Sequence, residues 1–222
     1  MSPTPPPGEG ARRGVFVTFE GPEGSGKTTL IEAIAGRLAG HGEEALILRE
    51  PGGTAIGERI RSVLLDLSSR SMCAETELLL MEASRAQLVR EKIAPALEAG
   101  LVVLCDRFAD ASTAYQGFGR GLGDRLVERF NDFATGGLVP DLTFLCLLPP
   151  AEGQARLEGR RTDRLDRENL AFHERVYEGY QALAASGQPR LVVLDATAPP
   201  ETVLQDALGH LRRLEHGLFR YI

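Results

Sequence analysis

A glycine-rich turn restricts the fold of this chain more than any other feature of its sequence. Residues 21–28 read GPEGSGKT in one-letter code and satisfy the pattern G-x-x-x-x-G-K-[ST]. The turn follows an apolar run, Val15–Glu20, which is typical of a buried strand. It precedes a segment whose apolar residues share one helix face, namely Leu30, Ile31, Ile34 and Leu38. This order of elements predicts an α/β fold with a phosphate site at the edge of a sheet.

The residues of this turn predict a site for the phosphates of ATP. Glycines let the backbone turn so that N–H groups face phosphate oxygens, and the helix adds its positive end. Lys27 would bring a positive charge to the β- and γ-phosphates, and the Thr28 hydroxyl would ligate Mg²⁺. Only Lys27 and Lys92 are lysines among the 25 basic residues, which argues against a chance match. The predicted ATP-binding residues are Gly21, Pro22, Glu23, Gly24, Ser25, Gly26, Lys27, Thr28 and Thr29.

Strand-like and helix-like segments alternate along the rest of the chain, which predicts βαβ units and a mostly parallel sheet. The predicted strands are Val15–Glu20, Ala45–Arg49, 101–106, Leu142–Leu147 and 190–194. A long helix is expected over residues 75–99, with a bend at Pro95. Residues 117–123 are rich in glycine and predict a turn.

Length and charge restrict the domain organisation and the partners. A chain of 222 residues fits one domain, which we place at residues 14–214, after a proline-rich disordered leader (1–13) and before a short tail (215–222). The net charge of −6, without a block of basic residues, argues against nucleic acid as a partner. The sequence has no signal peptide and no apolar stretch long enough to span a bilayer, so we expect a cytoplasmic protein without a membrane partner.

Two further strands end in charged residues that belong at the same edge of the sheet as the turn. Arg49 ends the second predicted strand, and Asp106 and Arg107 end the third. Each arginine by itself is compatible with a surface ion pair. Their shared position at strand ends favours phosphate binding, because the guanidinium group matches phosphate oxygens in shape and charge. Asp106 is placed to act on Mg²⁺, directly or through water. The chain lacks a guanine-reading Asn/Thr-Lys-x-Asp segment, which argues against a GTP switch.

The segment GRRTDRLDR at residues 159–167 breaks the helical pattern and carries four arginines. An exposed charged loop is the simpler interpretation. In a kinase that uses this kind of turn, however, cationic side chains that close over the transferring phosphoryl group stabilise its charge and exclude water. We therefore predict a small lid at about residues 159–168.

Taken together, these segments resemble bacterial thymidylate kinase, in the form whose catalytic arginine lies in the lid. The resemblance runs from about residue 15 to residue 214. It is carried by FEGPEGSGKTT (19–29), REPGGT (49–54), ASRAQ (83–87), DR (106–107), AYQG (114–117) and DRLD (163–166). It implies a P-loop kinase fold, in which a five-stranded parallel sheet is flanked by helices in a single domain with a small lid.

The resemblance also implies roles for individual residues. Lys27, Arg107 and Arg164 would be catalytic, with Arg107 on the acceptor phosphate and Arg164 as the lid arginine on the transferring phosphate. Arg85 would read the pyrimidine base, and Tyr115 would press against the deoxyribose. The implied substrate-binding residues are Glu23, Arg49, Arg61, Met81, Arg85, Arg107, Ser112, Tyr115 and Gln116. Met81 is a departure, since phenylalanine usually stands there in the family.

The activity implied by this resemblance is phosphorylation of dTMP to dTDP by ATP with Mg²⁺, in dTTP biosynthesis, by a homodimer. Two alternatives are compatible with the residues alone. One is a kinase for another nucleoside monophosphate or for a nucleoside. The other is a non-catalytic nucleotide-binding homologue.

Overall fold

A computed structural model describes residues 13–159, 162–214 and 219. Five strands form one parallel sheet in the order β2-β3-β1-β4-β5. The strands are β1 (Val15–Glu20), β2 (Ala45–Arg49), β3 (Val102–Asp106), β4 (Leu142–Leu147) and β5 (Leu191–Asp195). All five predicted strands are present, and β3 and β5 differ from the prediction only by a residue at their ends. The predicted fold class is confirmed.

Helices cover both faces of the sheet. They are α1 (Lys27–Gly40), α2 (Ala55–Leu65), α3 (Ala74–Leu88), α4 (Ala94–Glu98), α5 (Ala109–Ser112), α6 (Asp124–Thr135), α7 (Pro150–Leu157), α8 (Leu170–Ala185) and α9 (Pro200–Leu211). Side chains of α1 and α9 share one apolar core with β1, β3 and β4. A second core joins β2 and β3 to residues 88–97, and a third joins α8 to Leu145 of β4. The glycine-rich turn follows β1, the central strand of this sheet, and so lies at the carboxyl edge of the sheet.

The long predicted helix is continuous from α3 to α4 but changes its winding. Residues Val89–Ile93 form a π-helical turn, and the Ala94 N–H donates to the Val89 carbonyl oxygen, five residues earlier. Pro95 has no N–H to continue the ordinary ladder, so a wider turn at this point is expected. The helix is therefore wider in the turn that precedes Pro95.

The prediction of a glycine-rich turn at residues 117–123 is wrong in its first half. Residues Thr113–Gly119 are π-helical, and the turn comes only afterwards. Gly119 lies inside this helical segment, where a Cβ would stand 2.8 Å from side-chain atoms of Phe172 and Val176 on α8. Glycine is thus needed here for close helix packing and not for a turn.

The predicted leader and tail lie almost wholly outside the described residues. Within the leader, Arg13 is described, and it forms an ion pair of 3.1 Å with Asp141. Within the tail, Phe219 is described and is buried in the core with α1 and α9. Among the helices of the described part, none combines the length and the apolar character needed to cross a membrane.

Candidate active site

A cavity of about 830 Å³ opens at the carboxyl ends of the strands. This volume is at the upper end of the range of about 300–1,000 Å³ that is usual for small-molecule sites. Most of the predicted site residues line it. They are Glu23, Gly24, Ser25, Gly26, Lys27, Thr28, Thr29, Arg49, Arg61, Met81, Arg85, Asp106, Arg107, Ser112, Tyr115 and Gln116. Three predicted residues, Gly21, Pro22 and Arg164, do not line the cavity.

The turn after β1 adopts a conformation that requires glycine. Gly21 has φ 139°, and a Cβ there would collide with the carbonyl oxygen of Cys146 on β4. Gly26 caps α1 in the left-handed region with φ 83°. L-residues with a side chain rarely adopt these values. The turn delivers the chain into α1, whose first N–H groups have no partners within the helix.

Lys27 is folded back onto this turn. Its Nζ donates to the carbonyl oxygens of Gly21 (3.0 Å) and Pro22 (2.9 Å) and to the hydroxyl of Ser25 (3.3 Å). Burial lowers the pKa of the Lys27 ammonium below its ordinary value, with Arg107 contributing and Glu23 and Asp106 opposing. A buried ammonium held only by neutral oxygens has a strong electrostatic preference for an anion such as phosphate.

Thr28 and Asp106 meet across the sheet edge. The Thr28 hydroxyl donates to Asp106 Oδ2 at 3.0 Å, so a hydroxyl and a carboxylate lie together beside the phosphate-binding turn. Mg²⁺ prefers oxygen ligands and is usually held by one or two carboxylates together with substrate phosphates. Within the described residues no group of three or more His, Cys, Asp or Glu side chains could hold a metal ion by itself. The pair therefore fits Mg²⁺ that arrives with a nucleotide.

Arg107 lines the cavity and is largely buried. Its Nη2 contacts Glu23 Oε1 in an ion pair and donates to the Tyr115 hydroxyl at 3.1 Å, and its Cζ lies 4.9 Å from the centre of the Tyr115 ring. The positive charge of Arg107 holds the pKa of Glu23 down, to about 2, against burial, which acts in the other direction. An anionic Glu23 thus keeps Arg107 at the mouth of the turn.

Arg49 and Arg61 form a second cationic group at the end of β2. Both donate to the carbonyl oxygen of Pro51, at 3.0 Å and 2.9 Å. Arg49 is also held by Glu58 at 2.9 Å. Burial and the nearby Arg49 charge lower the pKa of Arg61 below its ordinary value. Two guanidinium groups around one carbonyl oxygen form a favourable site for a phosphate group.

Arg85 forms the opposite, buried end of the cavity. The guanidinium lies between two buried carboxylates, with Glu50 at 2.8 Å and Glu82 at 2.6 Å. It also donates to Ser112 Oγ (3.0 Å), Asn131 Oδ1 and the Phe108 carbonyl oxygen. Burial raises the pKa of Glu50 to about 7, while Arg85 opposes this change. The structure brings Arg85 to the cavity, but its N–H groups already have protein acceptors.

Arg164, which is predicted to contact the transferring phosphoryl group, does not line the cavity in the structure. The Arg164 side chain is buried away from the cavity and forms an ion pair of 2.7 Å with Glu77 of α3. It also donates to the Leu64 carbonyl oxygen at 2.8 Å. Glu77 also binds Arg120 and Gln116, so it attracts several donors to one buried point. A buried carboxylate needs such partners, and this need explains why Arg164 faces inward.

Sequence reasoning missed several residues near the site. Arg156 of α7 lines the cavity and donates to the Gly24 carbonyl oxygen at 3.3 Å. Glu20 and Tyr180 contact Arg107 or its turn from the buried side. A glutamate at the end of an otherwise apolar strand was a usable signal for Glu20. Tyr180 lies 73 positions after Arg107, and no local pattern in the sequence links the two residues.

Comparison with known proteins agrees with this geometry. The family model described as thymidylate kinase matches residues 19–207. A thymidylate kinase of Desulfovibrio desulfuricans is 46% identical over 216 residues, covering 92% of this chain and 100% of the relative. One of Latilactobacillus sakei is 45% identical, covering 93% and 98%. One of Bacillus pumilus is 46% identical, covering 88% and 93%. The match over most of the chain and the identity to these enzymes show that the protein belongs to the thymidylate kinase family.

Proposed function

We propose that this protein transfers the γ-phosphoryl group of ATP to dTMP and so forms dTDP for dTTP biosynthesis. One observation carries the proposal. A single cavity joins the turn that holds Lys27 to a separate cationic group made of Arg49, Arg61 and Arg107. Two anionic nucleotides can therefore meet with their phosphates facing each other. The family membership supports this acceptor, and nothing in the site favours either of the two alternative functions.

The donor phosphates bind at the turn after β1. Backbone N–H groups at the start of α1 and the Lys27 ammonium face the β- and γ-phosphates. In the structure Lys27 Nζ is held by carbonyl oxygens and a hydroxyl. These neutral partners give way to a charged phosphate because an ion–ion contact in a buried site is stronger than an ion–dipole contact.

Thr28 and Asp106 would hold Mg²⁺ at this end of the cavity. The Thr28 hydroxyl and the Asp106 carboxylate, 3.0 Å apart, supply two oxygen ligands, directly or through water. Magnesium bound here supplies neutralisation of charge on the phosphate oxygens. Asp106 ends β3, so the same short segment places a metal ligand and, in the next residue, an acceptor-binding arginine.

The acceptor phosphate binds between Arg107 and the pair Arg49 and Arg61. The planar guanidinium of Arg107 can bind phosphate oxygens, and Glu23 and Tyr115 contact it within the cavity. The Tyr115 ring lies under the guanidinium and provides the apolar surface against which the deoxyribose packs. Glu23 lies between the two nucleotides. Proximity and charge stabilisation, and not covalent chemistry, account for most of the rate of this kind of reaction.

The thymine base binds at the end formed by Arg85, Met81, Ser112 and Gln116. Arg85 Nη1 has two hydrogens and three acceptors in the structure, Glu82, Ser112 and Asn131. Ser112 is the uncharged hydroxyl partner at the longest distance of the three, and a base carbonyl oxygen can replace it. Met81 covers the ring with its polarisable thioether in place of an aromatic side chain.

The lid closes the cavity from the side of α7. Among the described arginines of this side, Arg156 lines the cavity, and we assign to it the contact with the phosphates of ATP. Arg164 instead anchors the lid to α3 through Glu77. Closure of the lid excludes the water that would otherwise hydrolyse ATP.

A panel of acceptors tests the proposed function. With Mg-ATP in a coupled ADP-release assay, we expect dTMP to give a kcat/KM at least about tenfold above those of dUMP, UMP, CMP and thymidine, since only dTMP matches both the deoxyribose and the methylated base. A faster reaction with another nucleotide or with thymidine would support the first alternative. The absence of turnover that depends on dTMP or on any other acceptor would support the non-catalytic alternative.

We further propose that the protein acts as a homodimer in the cytoplasm. Apolar side chains are exposed on α3 and α6, which pack against each other, notably Phe133 (84%) and Leu79 (53%). Such side chains are typical of an interface.

We expect light scattering to give about twice the 24.0 kDa chain mass and Phe133→Asp to give a monomer. Leu170→Asp, a change of an exposed apolar residue on α8, should remain a dimer. A monomeric wild-type protein would contradict the proposal.

A further inference from the structure

The backbone of Arg107 has a conformation that is unusual for a residue with a side chain. Its φ is 70°, the only positive value among the described residues other than glycine. Such a conformation has an energetic cost and persists only where the surroundings hold it. Two hydrogen bonds to β1 do so. The Arg107 N–H donates to the Phe19 carbonyl oxygen at 2.9 Å, and the Phe108 N–H donates to Glu20 Oε1 at 2.7 Å.

The guanidinium of Arg107 is connected to the same glutamate from the other end. Arg107 Nη1 donates to the Tyr180 hydroxyl at 3.0 Å, and the Tyr180 hydroxyl donates to Glu20 Oε2 at 3.1 Å. The two carboxyl oxygens of Glu20 therefore act on Arg107 at two points. One accepts from the backbone next to Arg107, and the other holds the guanidinium through Tyr180. Nη1 also donates to the Gly21 carbonyl oxygen at 2.9 Å, which ties Arg107 to the phosphate-binding turn.

Glu20 and Tyr180 are completely buried, and neither lines the cavity. Burying a carboxyl group has a large desolvation cost, and an apolar residue at the end of β1 would avoid it. Burial, aided by Asp110, raises the pKa of Glu20 to about 8, while Arg107 and the hydrogen bonds from Phe108 and Tyr180 oppose this. The burial of Glu20 despite this desolvation cost indicates a role beyond packing.

We propose that Tyr180 and Glu20 are positioning residues that fix Arg107 for the acceptor phosphate. Neither touches the substrate. Tyr180 reaches Arg107 from α8, and Glu20 reaches it from β1, so the guanidinium is held on the side opposite the cavity. Its other amino group, Nη2, faces Glu23 and Tyr115 within the cavity. This role rests on the proposed function, in which Arg107 binds the phosphate of dTMP.

Tyr180→Phe tests the role because it removes the hydroxyl and keeps the ring. A lost hydrogen bond to a charged group is worth roughly a tenfold to hundredfold change in a binding constant. We expect kcat/KM for dTMP to fall about tenfold or more. The KM for ATP and the inhibition constant of thymidine should stay within about twofold, because neither ligand presents a phosphate to Arg107. Tyr177→Phe, on the same helix, is the matched control and should behave as the wild type.

Two further variants separate positioning from stability. Glu20→Gln should give a similar loss, since the single amide oxygen cannot accept from both the Phe108 N–H and the Tyr180 hydroxyl. It serves as the test if Tyr180→Phe does not fold. In an Arg107→Ala background, Tyr180→Phe should reduce dTMP binding by less than about twofold, because the two residues act as one unit.

Three results would overturn the role. They are an unchanged kcat/KM for dTMP in both Tyr180→Phe and Glu20→Gln, an equal loss of thymidine affinity, and a full additional loss in the Arg107→Ala background. Wild-type protein without dTMP turnover would contradict the proposed function and this role with it. Wild-type turnover with unaffected variants would contradict this role alone.

Discussion

Lys27→Ala is expected to lower kcat for phosphoryl transfer to dTMP by about 10³-fold or more. The ammonium is the cationic group of residues 21–28, and three neutral oxygen atoms hold it there in the structure. Removing it leaves the γ-phosphoryl group without its principal cation in the donor half of the cavity. A 10³-fold loss corresponds to about 4 kcal/mol of transition-state stabilisation.

The measurement is a steady-state rate with saturating dTMP, together with ATP binding by calorimetry. The chain offers a matched control, since Lys92 is the other lysine and is exposed. Lys92→Ala should keep the wild-type rate. A Lys27→Ala protein with a wild-type rate would refute the interpretation of residues 21–28 as the ATP site.

Arg107→Ala is expected to lower kcat/KM for dTMP by about 10²- to 10⁴-fold while ATP affinity stays within about threefold. The reason is the position of Arg107, which contacts Glu23 and Tyr115 within the cavity and is placed for the acceptor phosphate. Its loss removes charge and shape complementarity for that phosphate and for the transition state. The donor nucleotide keeps Lys27 and the N–H groups of α1.

Calorimetry with ATP and steady-state rates with varied dTMP distinguish these two effects. Arg107→Lys should fall between the wild type and Arg107→Ala, because an ammonium keeps the charge but loses the planar fork. Arg37→Ala, which removes an exposed arginine of α1, is the control and should leave both constants unchanged. Equal losses of ATP and dTMP affinity in Arg107→Ala would contradict the assignment of Arg107 to the acceptor.

Several arginines lie close together in the sequence of the predicted lid, and the sequence alone does not indicate which of them faces the cavity. Residues 159–167 contain four arginines, and the family resemblance favours Arg164 as the catalytic one. In the structure Arg164 binds Glu77, a buried residue 87 positions earlier in the chain. The arginine of this side that reaches the cavity is Arg156, which precedes the predicted lid. Arg160 and Arg161 lie outside the described residues. The orientation of Arg164 is thus set by a carboxylate that is distant in the sequence.

Arg85 and Arg107 are also held by partners that are distant in the sequence. Arg85 of α3 forms buried ion pairs with Glu50 and Glu82, which the sequence did not predict. The same side chain lines the cavity. For Arg107 the sequence predicted the correct sheet edge but not Tyr180, which holds its side chain from α8.

The sequence by itself determined the phosphate-binding turn, the five strands and the strand-end positions of Arg49, Asp106 and Arg107. It could do so because local patterns encode these features. Apolar runs specify strands, glycines specify the turn, and the carboxyl ends of parallel strands share one edge of the sheet. Only the tertiary structure decided which arginines face the cavity. A guanidinium turns towards the buried carboxylates around it, and Glu20, Glu50 and Glu77 come close to their partners only when the chain has folded.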